Sequence, residues 1–187
     1  MAVTQVTYEV EGWGTGELVV SDDRVVWHEL PWPRAEPLAA NGPTPPTDPS
    51  QSPTHPGAGA AAVVSQEASR GDRGFVTEVV GLLHAYFAGQ HVPLEEVLVD
   101  LEYDSPFFAR CAEALRAVPR GEVVTYGELA ALAGAPGAAR AAGSFCARNR
   151  LGLFVPCHRV VAAGDLGSYG SHGIEYKRRL LELEGAL

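Results

Sequence analysis

The spacing of apolar and polar residues changes period along the chain, and each change marks an element. Val3–Val10, Glu17–Val20 and Arg24–Glu29 are short runs rich in β-branched and aromatic residues and broken by glycines, which predicts three strands. Ser21-Asp22-Asp23, between the last two, reads as a hairpin turn. Phe75, Val76, Val79, Val80, Leu82, Leu83, Tyr86 and Phe87 recur instead at helical spacing, and Gly89 supplies a C-cap signal. Val97–Leu101 is a further strand candidate that leads out of this part of the chain.

Beyond it the pattern is mostly helical. Ser105-Pro106 joins an N-cap residue to a proline at the first helical position, and Phe107, Phe108, Cys111, Leu115 and Val118 make one apolar face. Thr125 followed three residues later by Glu128 is a capping-box pattern, opening a helix that runs to Gly134. Pro136 is expected to start a third helix, rich in alanine, through about Arg148. Two short helices joined by a tight glycine-containing turn are a helix-turn-helix pattern. Leu151–Val161 is apolar and irregular, interrupted by Pro156, and a helix from about Glu175 to Glu184 closes the chain.

Composition divides these elements. From Pro31 to Pro56 nine of the 14 prolines fall within 26 residues, mixed with Ala, Thr, Ser and Gly, a composition that builds no packed core. The expected organisation is an α/β part over 1–100, interrupted at about 31–70 by a linker or insertion, and a mainly helical part over 101–187. The whole chain, 187 residues with 46% hydrophobic, suits one domain or two small ones. No apolar run of about 18 residues predicts a membrane span. No basic-then-apolar leader opens the chain, so a cytoplasmic location is expected, with Cys111, Cys146 and Cys157 as free thiols. The net charge of −9 argues at face value against a nucleic-acid partner, yet it is unevenly spread. Residues 1–104 hold four basic against 16 acidic residues, and residues 105–187 hold ten against seven. The C-terminal part is slightly positive, which removes the objection.

The densest chemistry is Val155-Pro156-Cys157-His158-Arg159-Val160-Val161. A thiol beside an imidazole is what a thiolate nucleophile needs, since His takes the proton and a nearby cation stabilises the anion. Pro156 breaks the apolar run and presents the Cys at a turn. Cys111 and Cys146 sit at apolar helical positions and read as buried thiols. Trp13, Trp27 and Trp32 read as packing of the small sheet. The six histidines show no paired spacing with cysteine, so no metal site is expected.

Pro156–Val160 resembles in full the Pro-Cys-His-Arg-Val hallmark of the O6-alkylguanine-DNA alkyltransferases, the methylated-DNA–protein-cysteine methyltransferases. Thr125–Ala130 resembles the first helix of that family's helix-turn-helix, and Ala139–Gly143 its recognition helix. Asn149, eight residues before the Cys, matches too, as do Lys177, Leu180, Leu181, Glu184 and Gly185 in the closing helix. Leu83–Gly89 resembles the helix that ends the family's N-terminal domain. The similarity covers about residues 75–187 well and 1–30 loosely.

The resemblance implies a mixed α/β (α+β) fold, with a small ribonuclease H-like N-terminal domain and a winged helix-turn-helix C-terminal domain. It implies repair of DNA by direct transfer of a methyl or other alkyl group from O6-alkylguanine, and possible action on O4-alkylthymine, to Cys157, once per molecule and without a cofactor. His158 would accept the thiol proton through a water, and Glu184 would orient the imidazole. Asn149 would tie the helix-turn-helix to the active-site segment. Tyr169, supported by Lys177, would donate a hydrogen bond to the departing guanine. The target base must leave the duplex. Arg140 would fill the vacated space, Tyr126 would crowd the target phosphate, and Ala139 and Gly143 would permit close approach in the minor groove. The partner is alkylated double-stranded DNA, met by a monomer.

Four features depart from the family pattern. Arg150 stands where proline is usual, and Ser144 and Phe145 replace small residues of the recognition helix. Cys157 to Tyr169 is one residue shorter, and Tyr169 to Lys177 one longer. Two other readings stay open at this stage: an alkyltransferase-like protein that binds the lesion without transfer, and a cysteine hydrolase of another class.

Overall fold

The computed structural model of the chain describes residues 3–33 and 70–187. The proline-rich stretch beyond residue 33 lies outside the described residues. Strands β1 (Val3–Val10), β2 (Gly14–Ser21) and β3 (Arg24–Trp32) form an antiparallel sheet in the order β1-β2-β3. The turn between β2 and β3 places Asp22 and Asp23 both in the left-handed region, at φ 52° and 55°, as a two-residue hairpin of matching twist requires.

Two details of the sheet aim side chains at the site. Gly16 pairs with Tyr8, and a Cβ at Gly16 would lie 2.5 Å from the Tyr8 ring, so this glycine lets the ring lie across β2. In β3 the register slips: Val20 pairs with Val25 but Val19 with Trp27, leaving Val26 as an extra residue. Such a bulge reverses the faces of the residues that follow it, here until a second register slip beyond Glu29. His28 and Leu30 are thereby buried with Val25, while Glu29 is exposed.

Helix α1 (Arg70–Phe87) covers the sheet, burying Val76, Val79, Leu83 and Tyr86. It closes where the Gly89 N–H bonds Tyr86 O and the Gln90 N–H bonds Ala85 O. Val97–Leu101 does not become a strand. Val99 alone makes an isolated parallel bridge to Val25.

Four more helices follow: α2 (Pro106–Arg116), α3 (Tyr126–Leu132), α4 (Ala139–Arg148) and α5 (Gly173–Glu184). Ser105 occupies the N-cap of α2, but its side chain makes no capping bond. The capping box of α3 is complete. Thr125 Oγ1 accepts the Glu128 N–H at 3.2 Å, and the Glu128 carboxylate accepts the Thr125 N–H at 2.7 Å. Helix α4 begins at Ala139 and not at Pro136, because Gly137 at φ 90° turns the chain out of helical geometry. Phe145 faces away from the surface of α4 into the core, edge-on to Phe108 and Tyr103 at 5.7 Å. A parallel pair, β4 (Val124–Thr125) and β5 (Val160–Val161), ties the start of α3 to the segment after Cys157. The fold is mixed α/β, and no helix among the described residues is long and apolar enough to cross a membrane.

Candidate active site

Helix α4 ends at Asn149, whose backbone turns extended, and the chain then loops through residues 150–156 into a single 3-10 turn, Cys157–Arg159. The Asn149 amide spans this loop. Its Nδ2 donates to Val155 O at 2.7 Å and to Cys157 Sγ at 3.2 Å, while its Oδ1 accepts the Leu151 N–H at 3.1 Å. Leu153 takes φ 70°, a left-handed conformation that a leucine rarely adopts, held there by burial of its side chain. Burial pushes the Cys157 thiol up, and the Asn149 hydrogen bond and the Lys177 charge oppose that rise.

His158, next in the turn, is fully buried. Its Nε2 lies 3.0 Å from Glu184 Oε1 on α5. An ionised carboxylate only accepts, so Nε2 carries the proton and Nδ1 presents a lone pair. That Nδ1 has no hydrogen-bond partner among the described residues. Burial lowers the His158 pKa, against the raising effect of Glu184, and keeps the ring neutral. Burial alone would raise the Glu184 carboxyl, but hydrogen bonds from His158 and Arg159 and the Arg159 charge hold it well below the ordinary range. Arg159 binds it in a fork, Nε to Oε2 and Nη2 to Oε1, both at 2.8 Å. The Tyr86 hydroxyl donates to Oε1 at 2.7 Å.

Arg159 turns away from the sulfur to grip Glu184, and the positive charge that acts on Cys157 is Lys177. Lys177 is buried, donating to the carbonyls of Val160 and Leu166, so it braces the segment that leads to Tyr169. The Tyr169 hydroxyl is buried without a hydrogen-bond acceptor of good geometry among the described residues. Burial and the facing Cys157 thiol hold its pKa well above the usual phenol value.

Cys157 and Tyr169 open into a cleft of about 360 Å³. Tyr126, Gly143 and Cys146 form its wall on the α3–α4 side, and His28, Glu29 and Leu30 of β3 form another. Tyr126 is half-buried and packed beside Gly167 and Gly143. Arg140 is exposed on α4, with Ala139 beside it half-buried. Cys111 is buried as expected, but Cys146 is half-buried and lines the cleft, because it lies one turn after Gly143 on the same face of α4. Among the described residues no cluster of three or more His, Cys, Asp or Glu has metal-holding geometry.

The departures also find places. Arg150 bonds Val26 O at 3.2 Å and Asp100 Oδ2 at 3.0 Å, pinning the loop to β3 where a proline would have stiffened it. The longer stretch after Tyr169 forms a turn, Gly170–His172, with His172 3.6 Å from Glu29 and packed on Tyr176. Sequence reasoning did not assign Tyr86, Arg159, Cys146 or the β3 residues to the site. Arg159 and Tyr86 stood inside quoted motifs, whereas His28 meets Gly152 across 124 residues with no local signal.

Residues 106–186 match the family described as "6-O-methylguanine DNA methyltransferase, DNA binding domain". A methylated-DNA–protein-cysteine methyltransferase of Mycobacterium leprae is 45% identical over 115 residues, which is 60% of this chain and 67% of that protein. One from Methanopyrus kandleri is 45% identical over 105 residues, 56% of this chain and 77% of that protein. The crystal structure of a variant of the Mycobacterium tuberculosis O6-methylguanine methyltransferase superposes with a TM-score of 0.69 at 32% identity, covering 99% of this chain and 94% of that one. A Mycobacterium tuberculosis structure in complex with DNA gives 0.66 at 31% identity, covering 96% and 92%. With its Cys-His-Glu arrangement in place, the chain belongs to the methylated-DNA–protein-cysteine methyltransferase family.

Proposed function

We propose that this chain repairs DNA by direct reversal, moving an alkyl group from guanine O6 onto Cys157 in one irreversible turnover. The observation that carries the reading is half-buried Asn149 and Cys157 set beside buried His158 and Glu184, opening into a cleft walled by α3 and α4. At rest the half-buried thiol, its pKa raised, keeps its proton, so attack needs a base. The His158 Nδ1 lone pair is that base, reached through one bridging water. Glu184 remains ionised and stabilises the imidazolium. The sulfur–carbon bond forms as the carbon–O6 bond breaks, and the departing guanine oxygen takes a hydrogen bond from Tyr169. Lys177 stabilises the sulfur anion and braces the Tyr169 segment. The product thioether has no route back to a thiolate, so each molecule acts once. A displacement of this kind calls on no cofactor.

The reacting carbon is out of reach inside a duplex, so the alkylated nucleotide turns out of the stack into the cleft. We assign the α3–α4 face to the minor groove. Arg140, exposed and solvated, fills the gap left by the base. Tyr126 stands at the cleft rim by the target phosphate, and Ala139 and Gly143 keep α4 slim enough to approach. One monomer serves one lesion, in a reducing compartment that keeps Cys157 a free thiol. The lesion-binding reading without transfer is less well supported. The nucleophile sits beside its base, and Phe145 packs in the core and not toward DNA. The test is intact mass spectrometry after mixing with an O6-methylguanine duplex. The protein gains one methyl group and Cys157→Ala gains none. Binding of the duplex with no mass gain would defeat the proposal.

A further inference from the structure

Two buried groups of the sheet reach the nucleophile loop, and no step of the reaction uses them. Tyr8 lies over the space left at Gly16, and its hydroxyl is 2.5 Å from His28 Nε2. His28 Nδ1 is 2.5 Å from Gly152 O. A carbonyl only accepts, so Nδ1 donates to Gly152, and Nε2 accepts from the Tyr8 hydroxyl. Burial holds the His28 pKa down at about 4, so the ring stays neutral and in this single tautomer. The backbone adds to the contact. The His28 N–H donates to Arg150 O at 2.9 Å, and His28 pairs with Leu151 in a parallel bridge. Residues 150, 151 and 152 are thus all fastened to β3, directly after Asn149, whose amide holds both Val155 O and Cys157 Sγ.

We infer that Tyr8 and His28 are positioning residues for alkyl transfer: they fix the loop at Gly152 so that Asn149 keeps the Cys157 sulfur aligned for attack. The inference rests on the reading of Cys157 as acceptor. In-line displacement is sensitive to alignment, and a misplacement of about 1 Å can cost roughly 100-fold in rate. Loss of one end of this relay, with the backbone pairing retained, corresponds to a smaller shift and a loss of roughly tenfold.

The test is the single-turnover rate of methyl transfer from an O6-methylguanine duplex. The amplitude counts folded molecules, so the rate constant is read independently of any loss of stability. Tyr8→Phe and His28→Leu should slow transfer about tenfold. His28→Asn, which keeps an N–H donor in place of Nδ1, should recover most of the rate. Duplex affinity, measured in a Cys157→Ala background, should not change with Tyr8→Phe. In an Asn149→Ala background Tyr8→Phe should cost less than about twofold, since both act through one loop. Wild-type rates in Tyr8→Phe and His28→Leu, or fully additive losses with Asn149→Ala, overturn the inference and leave the acceptor assignment intact. A wild-type protein that gains no methyl group overturns the acceptor assignment itself, and the inference with it.

Discussion

Glu184 Oε1 stands 3.0 Å from His158 Nε2 and accepts from Arg159 and Tyr86 as well, at 2.8 and 2.7 Å. One buried carboxylate therefore fixes the tautomer of the base, neutralises a guanidinium and anchors α1 to α5. Replacement by glutamine leaves Arg159 without a counter-charge and puts an amide where His158 needs an anion. Glu184→Gln should destabilise the fold by about 3 kcal/mol and slow transfer by roughly 100-fold. Denaturant unfolding and single-turnover kinetics check the two effects separately.

The acid side of the stability profile follows from the buried imidazoles. His28 is held at about 4, against an ordinary 6.5, and His158 is lowered too. Between those values the unfolded ring binds a proton that the folded ring refuses. Stability is therefore full above about pH 6.5 and declines toward pH 4, by on the order of 3 kcal/mol from His28 alone. Glu184 acts lower. Its depressed pKa gives stability that is full above about 4.5 and is lost as pH falls below it. Urea midpoints should fall steadily from pH 6.5 to 4, and His28→Asn should flatten that range. A wild-type profile level from pH 7 to 4.5 would contradict the assignment.

Asn149 holds the sulfur as well as the loop. Asn149→Ala leaves Val155 O with only the Cys157 N–H and strips the buried Leu151 N–H of its acceptor, a cost of about 1–3 kcal/mol. It also removes a hydrogen bond that lowers the Cys157 pKa, so the thiol should titrate higher. Iodoacetamide reaction rates against pH, compared with wild type, should shift to more alkaline values.

Arg140 is solvent-exposed, so its role is visible only with a duplex present. Arg140→Ala should weaken repair of O6-methylguanine in duplex DNA while sparing reaction with the free modified base. Equal losses on both substrates would show that Arg140 does not act on the stack. Thermal unfolding should be within about 0.5 kcal/mol of wild type, as for other surface changes.

Much of this arrangement is legible in the residues because it is local. The capping box at Thr125 and Glu128, the Asp22-Asp23 turn and the Pro-Cys-His-Arg-Val run each carry their geometry within a few positions. Pro136 misleads because the positive φ at Gly137 outweighs the proline's preference for a helix start. Cys146 reads as core by period alone, since the same face of α4 that packs inward also forms a cleft wall. The β3 contribution is hidden for a different reason. Strict alternation from Val25 would send Trp27 and Glu29 inward, and only the bulge at Val26 turns His28 and Leu30 to the cleft. Nor does spacing predict that the Arg159 guanidinium chooses Glu184 over the sulfur beside it, a choice set by the packing of α5.

The proposed mechanism turns on Cys157 as the alkyl acceptor. The protein has three free thiols, and Cys146 lines the same cleft, so the location of the methyl group decides the matter. Burial pushes the Cys111 thiol up to about 11 and the Cys146 thiol higher still, and neither has a buried imidazole base next to it in the chain. The most direct measurement is peptide mapping by mass spectrometry after reaction with an O6-methylguanine duplex. The predicted result is a single S-methyl group on the peptide containing Cys157 and none on those containing Cys111 or Cys146. Methylation of Cys146, or an unmodified protein that holds the lesion duplex, would contradict Cys157 as the acceptor.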